Sequence, residues 1–199
     1  MSETATQARF NNLVSRILWP IFKARGYRKT ANNFRLYHPD GWGKIVNVQK
    51  SSFSDRNTIR FTVNTGLYLV KADTMFETAK EANFLEPDCL VRKRIGNLNG
   101  LQKDLWYELT DSTPEAEIER VVKHDFDLFI LPYLAKIQSD TNICRQIIQE
   151  RSPKSVEAIQ TVFDYGYSEE ARQWLKEELA TTIYRDWRQQ LMTLQNALG

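Results

Sequence analysis

Histidine and cysteine are scarce in this chain of 199 residues, with two of each. His38 stands before Pro39 in a turn and His124 falls on a helical face. Neither has a sequence neighbour that would make it a general base or a metal ligand. Cys89 and Cys144 are far apart and fit no metal spacing, so two buried thiols in a reducing cytosol are expected, and no metal site. Walker loops, GxSxG elbows, HExxH signatures and paired-cysteine motifs are all missing, and no cofactor is implied. No apolar run approaches the roughly 20 residues of a membrane span. The opening residues MSETATQARF lack the apolar stretch of a signal peptide. The expectation is a cytoplasmic protein with no membrane partner.

What the chain does contain is ordinary for a globular protein: 42% hydrophobic and 26% charged residues, enough for one domain with a full core or for a domain with a helical extension. The charge is unevenly placed. Residues 1–110 hold 17 Lys and Arg against 10 Asp and Glu, and residues 111–199 hold 10 against 15. A basic sheet attracting acidic helices accounts for this without a partner. Nucleic-acid binding is disfavoured, because the net charge is only +2 and no RNP-like or helix-turn-helix pattern is present.

The strongest pattern is a pair of alternating segments, Lys44–Ser52 and Thr58–Val70, which read as a β-hairpin. Side chains on a strand point to opposite faces with period two. Phe61, Val63, Thr65, Leu67 and Leu69 therefore share one face, with Val46, Val48 and Lys50 on the same side of the first strand. Thr62, Asn64, Gly66 and Tyr68 take the other, with Ile45, Asn47, Gln49 and Ser51. Asn is depleted in strands, and the amides of Asn47, Gln49 and Asn64 can donate and accept together. A solvated sheet face is one explanation; a polar floor that reads a ligand is the other.

Around the hairpin, Ala5–Arg25 reads as an amphipathic helix that Pro20 should kink or break near Leu18–Trp19. Tyr27–Lys29 and Asn33–His38 read as short strands, His38–Gly43 as a turn, Asp73–Ala82 as a helix, Cys89–Ile95 and Leu105–Leu109 as further strands, and Gly96–Gly100 as a turn. From Thr113 the period changes to about 3.6. One helix starts at Thr113–Pro114 and is distorted or ended by Pro132, a second covers Asp140–Glu150, and a third follows Ser152–Pro153 and stops at Gly166. A last long stripe capped by Ser168 carries Ala171, Leu179, Ile183, Trp187, Leu191, Leu194 and Leu198. The fold expected is α+β: a mostly antiparallel five- to six-stranded sheet packed by an N-terminal helix and followed by a C-terminal helical segment. The division expected is an α+β domain over residues 1–137 with a helical extension over 138–199 packed on it.

Alternation across Cys89–Ile95 puts Leu90, Arg92 and Arg94 on one face and Cys89 on the other, away from both arginines. Two arginines on one strand face can clamp a carboxylate or phosphate; the competing account pairs them with the acidic helices after residue 111. Trp42, Trp106 and Tyr107 are aromatics that would rim such a patch or sit in the core. The candidate ligand-binding residues are Asn47, Gln49, Ser51, Asn64, Arg92, Arg94 and Trp106, and no residue is assigned as catalytic.

The segments VNVQKS (46–51), FTVNTGL (61–67), CLVRKRIG (89–96) and DLWYEL (104–109), after a helix ending near Gly26–Tyr27, occur in an order that resembles the bacterial proteins grouped as domain of unknown function 4304. The likeness spans about Phe10 to Leu134. Tyr107 stands where the family pattern has a second Trp. The resemblance implies a fold and a bacterial cytosolic setting, and no reaction; the matching positions Gln49, Ser51, Asn64, Gly66, Arg92, Arg94, Gly96 and Trp106 bring no known role. The function expected is a non-enzymatic binding module that engages a protein partner or a small anionic ligand through the Asn/Gln/Arg sheet face. The alternative is an enzyme acting on a phosphorylated or other anionic small substrate, with Arg92 and Arg94 on the anion and Asp104 as base.

Overall fold

In the computed structural model, which describes residues 4–73, 80–101 and 103–198, the two alternating segments pair as the centre of an antiparallel sheet. The chain begins with α1 (Ala5–Asn12), a π-helical stretch (Leu13–Leu18) and α2 (Trp19–Lys23). Four strands follow: β1 (Arg28–Thr30), β2 (Asn33–His38), β3 (Trp42–Lys50) and β4 (Thr58–Leu69). A single turn, α3 (Val70–Asp73), precedes β5 (Val91–Arg94), α4 (Ile95–Leu98) and β6 (Tyr107–Thr110). The remainder is helical: α5 (Glu115–Asp125), a second π-helical stretch (Phe126–Ile130), α6 (Leu131–Ala135), α7 (Asp140–Glu150), α8 (Val156–Asp164), α9 (Ser168–Thr181) and α10 (Arg185–Ala197). The fold is α+β, with an open sheet of six antiparallel strands.

The strand order is β1-β2-β3-β4-β5, with β6 also against β4. At 12 residues β4 is long enough to hold two neighbours on one edge: β5 pairs with Asn64–Leu67 and β6 with Thr58–Phe61. Near the start of the chain, Arg9 donates to the Thr110 carbonyl at the end of β6 (2.7 Å), and the Thr6 hydroxyl bonds the Asp111 carboxylate.

Alternation then decides what each face meets. Phe61, Val63, Leu67 and Leu69, with Trp42, Val46 and Val48, join α1, α2 and α5 to α10 in one continuous core. Thr65 is buried among them and donates to the Lys93 carbonyl at 3.0 Å. Residues from Ile143 to Leu198 belong to that same core, so the C-terminal helices lie on the apolar side of the sheet. The opposite face is covered at one end by a turn segment that lays Phe84 on Ile45, Tyr68 and Cys89, where the Tyr68 and Phe84 rings stack at 4.3 Å. Near β6 it is covered by the segment before that strand, whose Leu105 carbonyl accepts from Thr62 at 2.8 Å; Thr62 and Asn64 are both buried. Glycine makes this close approach feasible. A Cβ on Gly43 would meet the Phe84 ring at 2.7 Å, and one on Gly66 would meet the Cys89 sulfur at 2.5 Å.

Several expectations are refined or corrected. Pro20 and Pro132 distort their helices without ending them, which is one of the two outcomes expected at each. Each is preceded by a π-turn in which the residue before the proline bonds five back, Trp19 N–H to the Val14 carbonyl and Leu131 N–H to the Phe126 carbonyl. The widened turn accommodates a ring that would otherwise clash with the carbonyl four residues earlier. The last stripe is two helices, because Thr182 turns extended (ψ 131°); Ile183 is 87% exposed instead of buried. The Cys89–Ile95 strand is shorter than expected. Glu86–Asp88 form a 3-10 turn and the strand starts at Val91, so the two-residue period does not extend back to Cys89. Its sulfur lies over Gly66, on the same face as Arg92, which pairs with Gly66. Gly96 sits in α4, not in a plain turn. The Asp73–Ala82 helix falls mostly outside the described residues.

Candidate functional site

The polar face is built by register. Direct antiparallel partners align Thr30, Asn33, Asn47, Asn64 and Arg94 in one row across β1 to β5. The side chains bond along that row in a single direction. Arg94 Nε donates to Asn64 Oδ1 (3.2 Å), Asn64 Nδ2 to Asn47 Oδ1 (3.3 Å), and Asn47 Nδ2 to Asn33 Oδ1 (2.8 Å). Asn64 Nδ2 also donates to Gln49 Oε1 at 2.7 Å. Amides chained this way polarise one another, which accounts for asparagines at positions where a strand would ordinarily carry β-branched residues.

At the β5 end the row opens into a cleft of about 390 Å³, lined by Gln49, Ser51, Arg94 and Trp106 together with Ser52, Phe53 and Arg60. The Arg94 guanidinium lies 5.7 Å from the centre of the Trp106 ring and donates to Asp104 Oδ2 at 2.5 Å. Three neighbours therefore orient it: an amide, a carboxylate and an aromatic face. Arg60 reaches Glu108 at 3.7 Å, and Phe53 stands 85% exposed at the lip. Asp104, the base an enzymatic reading would use, is engaged with Arg94.

Asn47, Gln49, Asn64 and Arg94 are thus in mutual contact, and Gln49, Ser51, Arg94 and Trp106 share the cleft. Arg92 is elsewhere. It makes two bonds to Glu86, at 2.7 and 3.1 Å, and this hydrogen bond to a largely buried carboxylate raises its pKa. The double-arginine clamp does not form. Nor do the arginines pair with the acidic helices; local turns supply Glu86 and Asp104, and it is Lys93 that crosses to the helices, reaching Glu150 at 2.6 Å. Trp42 is core, with His38 stacked on it at 3.9 Å. Tyr107 is core as well. Burial, and a 2.7 Å bond to Asp125, push its hydroxyl pKa upward.

Sequence reasoning missed Asn33, Phe53 and Arg60. Asn33 shares a face with Arg35 and Tyr37 by simple alternation, but only the β2–β3 register puts it beside Asn47. Arg60 alternates onto the Thr62 and Asn64 face and was readable there. Phe53 lies in the hairpin loop, where no periodicity applies. Among the described residues, no helix is long and apolar enough to cross a membrane, and no three His, Cys, Asp or Glu side chains converge to hold a metal ion.

These features define an α+β protein whose sheet is packed by helices on one side and presents a hydrogen-bonded amide row on the other. The chain belongs to the family described as domain of unknown function (DUF4304), whose model matches residues 18–136. The match takes in every strand and ends just past α6. No curated protein and no solved structure matches the chain.

Proposed function

We propose that this protein is a non-enzymatic binding module of the bacterial cytosol that engages a protein partner or a small anionic ligand through the cleft at the β5 end of the amide row. One observation carries the reading: Gln49 of β3, Arg94 of β5, and Ser51 and Trp106 from the loops that adjoin β3 and β6, converge on one open concavity. The chemistry suits an acidic group. A guanidinium held flat by an aromatic face and an oriented amide presents its remaining N–H donors in a fixed fork, and Gln49 and Ser51 supply neutral hydrogen-bonding groups beside it. The ligand's anion exchanges with or bridges beside the Asp104 carboxylate, so the site costs little to open; exposed pairs of this kind contribute only about 0–1 kcal/mol.

Affinity capture from a native lysate, comparing wild type with Arg94→Ala and Trp106→Ala, tests this. Both variants should lose the same set of partners, while Arg92→Ala, which alters the Glu86 pair outside the cleft, should keep it. Identical partner sets for wild type and both cleft variants would reject the proposal.

A further inference from the structure

A second concavity lies at the opposite end of the sheet. It has a volume of about 600 Å³ and is bounded by β1, β2 and the turn carrying Ala82 and Asn83. Arg28 and Arg35 are direct cross-strand partners there, so two cations occupy adjacent positions on one face. Like charges placed opposite each other on neighbouring strands repel, and such pairs ordinarily have a carboxylate between them. Among the described residues neither arginine forms an ion pair, whereas Arg60, Arg92, Lys93, Arg94, Arg151 and Lys154 all do. The groups that orient Arg35 are neutral: Nη1 donates to the Phe84 carbonyl (3.1 Å) and Nη2 to Thr30 Oγ1 (2.9 Å). Charge on a short edge strand also discourages another chain from pairing there, but that role requires neither a cleft nor two arginines at paired positions on one face.

We infer that this edge cleft binds a phosphate monoester, with the phosphoryl group between the Arg28 and Arg35 guanidiniums and the organic part along Leu36, Tyr37 and Pro39. Two adjacent positive charges match a dianionic phosphoryl group better than a carboxylate, and guanidinium forks bond phosphate oxygens in pairs. The volume falls within the range of small-molecule sites. Burial, and the charge of Glu81, raise the Tyr37 pKa, so its hydroxyl remains a donor at neutral pH. Glu81 forms no ion pair with either arginine. The inference does not rest on the Arg94 cleft, which shares no residue with this one.

Calorimetric titration of the full chain with phenyl phosphate, inorganic phosphate and acetate provides the test. Phenyl phosphate should bind one site in the millimolar range or tighter, with acetate at least about tenfold weaker. Arg28→Gln removes a side chain that is exposed and makes no hydrogen bond to lose; it should weaken phenyl phosphate about tenfold or more and lower the salt dependence. Arg25→Gln, an exposed basic neighbour outside the cleft, should leave affinity unchanged. Arg35→Gln should act like Arg28→Gln, its folding checked by an unchanged circular dichroism spectrum. Absence of phenyl phosphate binding to wild type, or equal affinity of wild type and Arg28→Gln, overturns the inference. Either result leaves the Arg94 reading standing, since none of its residues is altered.

Discussion

Lys44 points from β3 into the helical side of the sheet, not into water. It is 8% exposed, and its ammonium group donates to the Leu134 and Ile137 carbonyls at 2.9 and 2.5 Å, where α6 ends. A cation there complements the negative end of the helix dipole and satisfies carbonyls that the helix cannot. Burial lowers its pKa below the usual 10.5. The unfolded chain therefore binds this proton more tightly than the folded one, and the group's contribution to stability is complete above 10.5 and declines as pH falls through the lowered folded value. Lys44→Met leaves two carbonyls without a donor and should cost about 1–3 kcal/mol at neutral pH. The deficit relative to wild type should widen as the pH is raised, as read from denaturant melts; a deficit that narrows would contradict the assignment. Cys144 illustrates the same physics in a thiol. Burial lifts its pKa to about 11, so it should resist alkylation by iodoacetamide at neutral pH in the native state and react only after unfolding. Mass spectrometry of the labelled peptide reads this directly.

At the scale of elements, the amide row and its covering turn depend on glycine. Gly66→Ala drives a Cβ into the Cys89 sulfur and into Ile45 Cγ2, 2.9 Å away, and should cost about 1–3 kcal/mol by overpacking. The penalty should shrink in a Cys89→Ala background, because the first clash is then removed; equal penalties in both backgrounds would show that strain lies elsewhere. The elements were legible where a period ran unbroken. β2 begins and ends at Asn33 and His38 as alternation requires, and α7 spans Asp140–Glu150 as its apolar stripe implies. Legibility failed where backbone chemistry outweighed period. Proline within an apolar helical stripe reads as a distortion or a stop, and the period alone does not choose between them; a π-turn upstream lets both helices continue. The Leu179–Trp187 stripe reads as continuous, yet Thr182–Tyr184 breaks it. The cleft was half legible for a related reason: alternation assigns Asn47, Gln49, Asn64 and Arg94 to faces, but β4–β5 register is a long-range fact that no local pattern encodes. Arg92 obeyed its alternation and was captured by Glu86, an acid six residues away that has no periodic signature.

For the whole molecule, the continuity of the core matters most. Ile143, Ile147, Ile159, Leu175 and Leu191 are buried in the same cluster as Phe61 and Val63 of the sheet, and Lys93 of β5 bonds Glu150 of α7. A chain cut after residue 137 would expose the apolar surface on which α7 to α10 rest. It should lose its cooperative melt, while the full chain should unfold in one transition with coincident far-ultraviolet and tryptophan signals. A truncated chain melting as cooperatively and as high as the full one would refute this. The charge imbalance between the halves is also explained only in part by contact across them. Glu150 and Lys93 meet, but Arg151 and Lys154 take their carboxylates, Glu177 and Glu178, from within the C-terminal helices.

The clasp between Arg9 and the Thr110 carbonyl joins positions separated by 101 residues. During folding, a β3–β4 ribbon needs only a short loop to close, so it is available early, whereas this clasp must wait until nearly the whole sheet has been threaded into place. The helix α1, made well before β6, is thereby among the last elements to be fastened. Until β6 is in place α1 rests on β4 through the Phe10 and Phe61 rings, 5.4 Å apart, without its anchor at the far edge, so a chaperone or a protease meets a helix held on one side while the protein is being made.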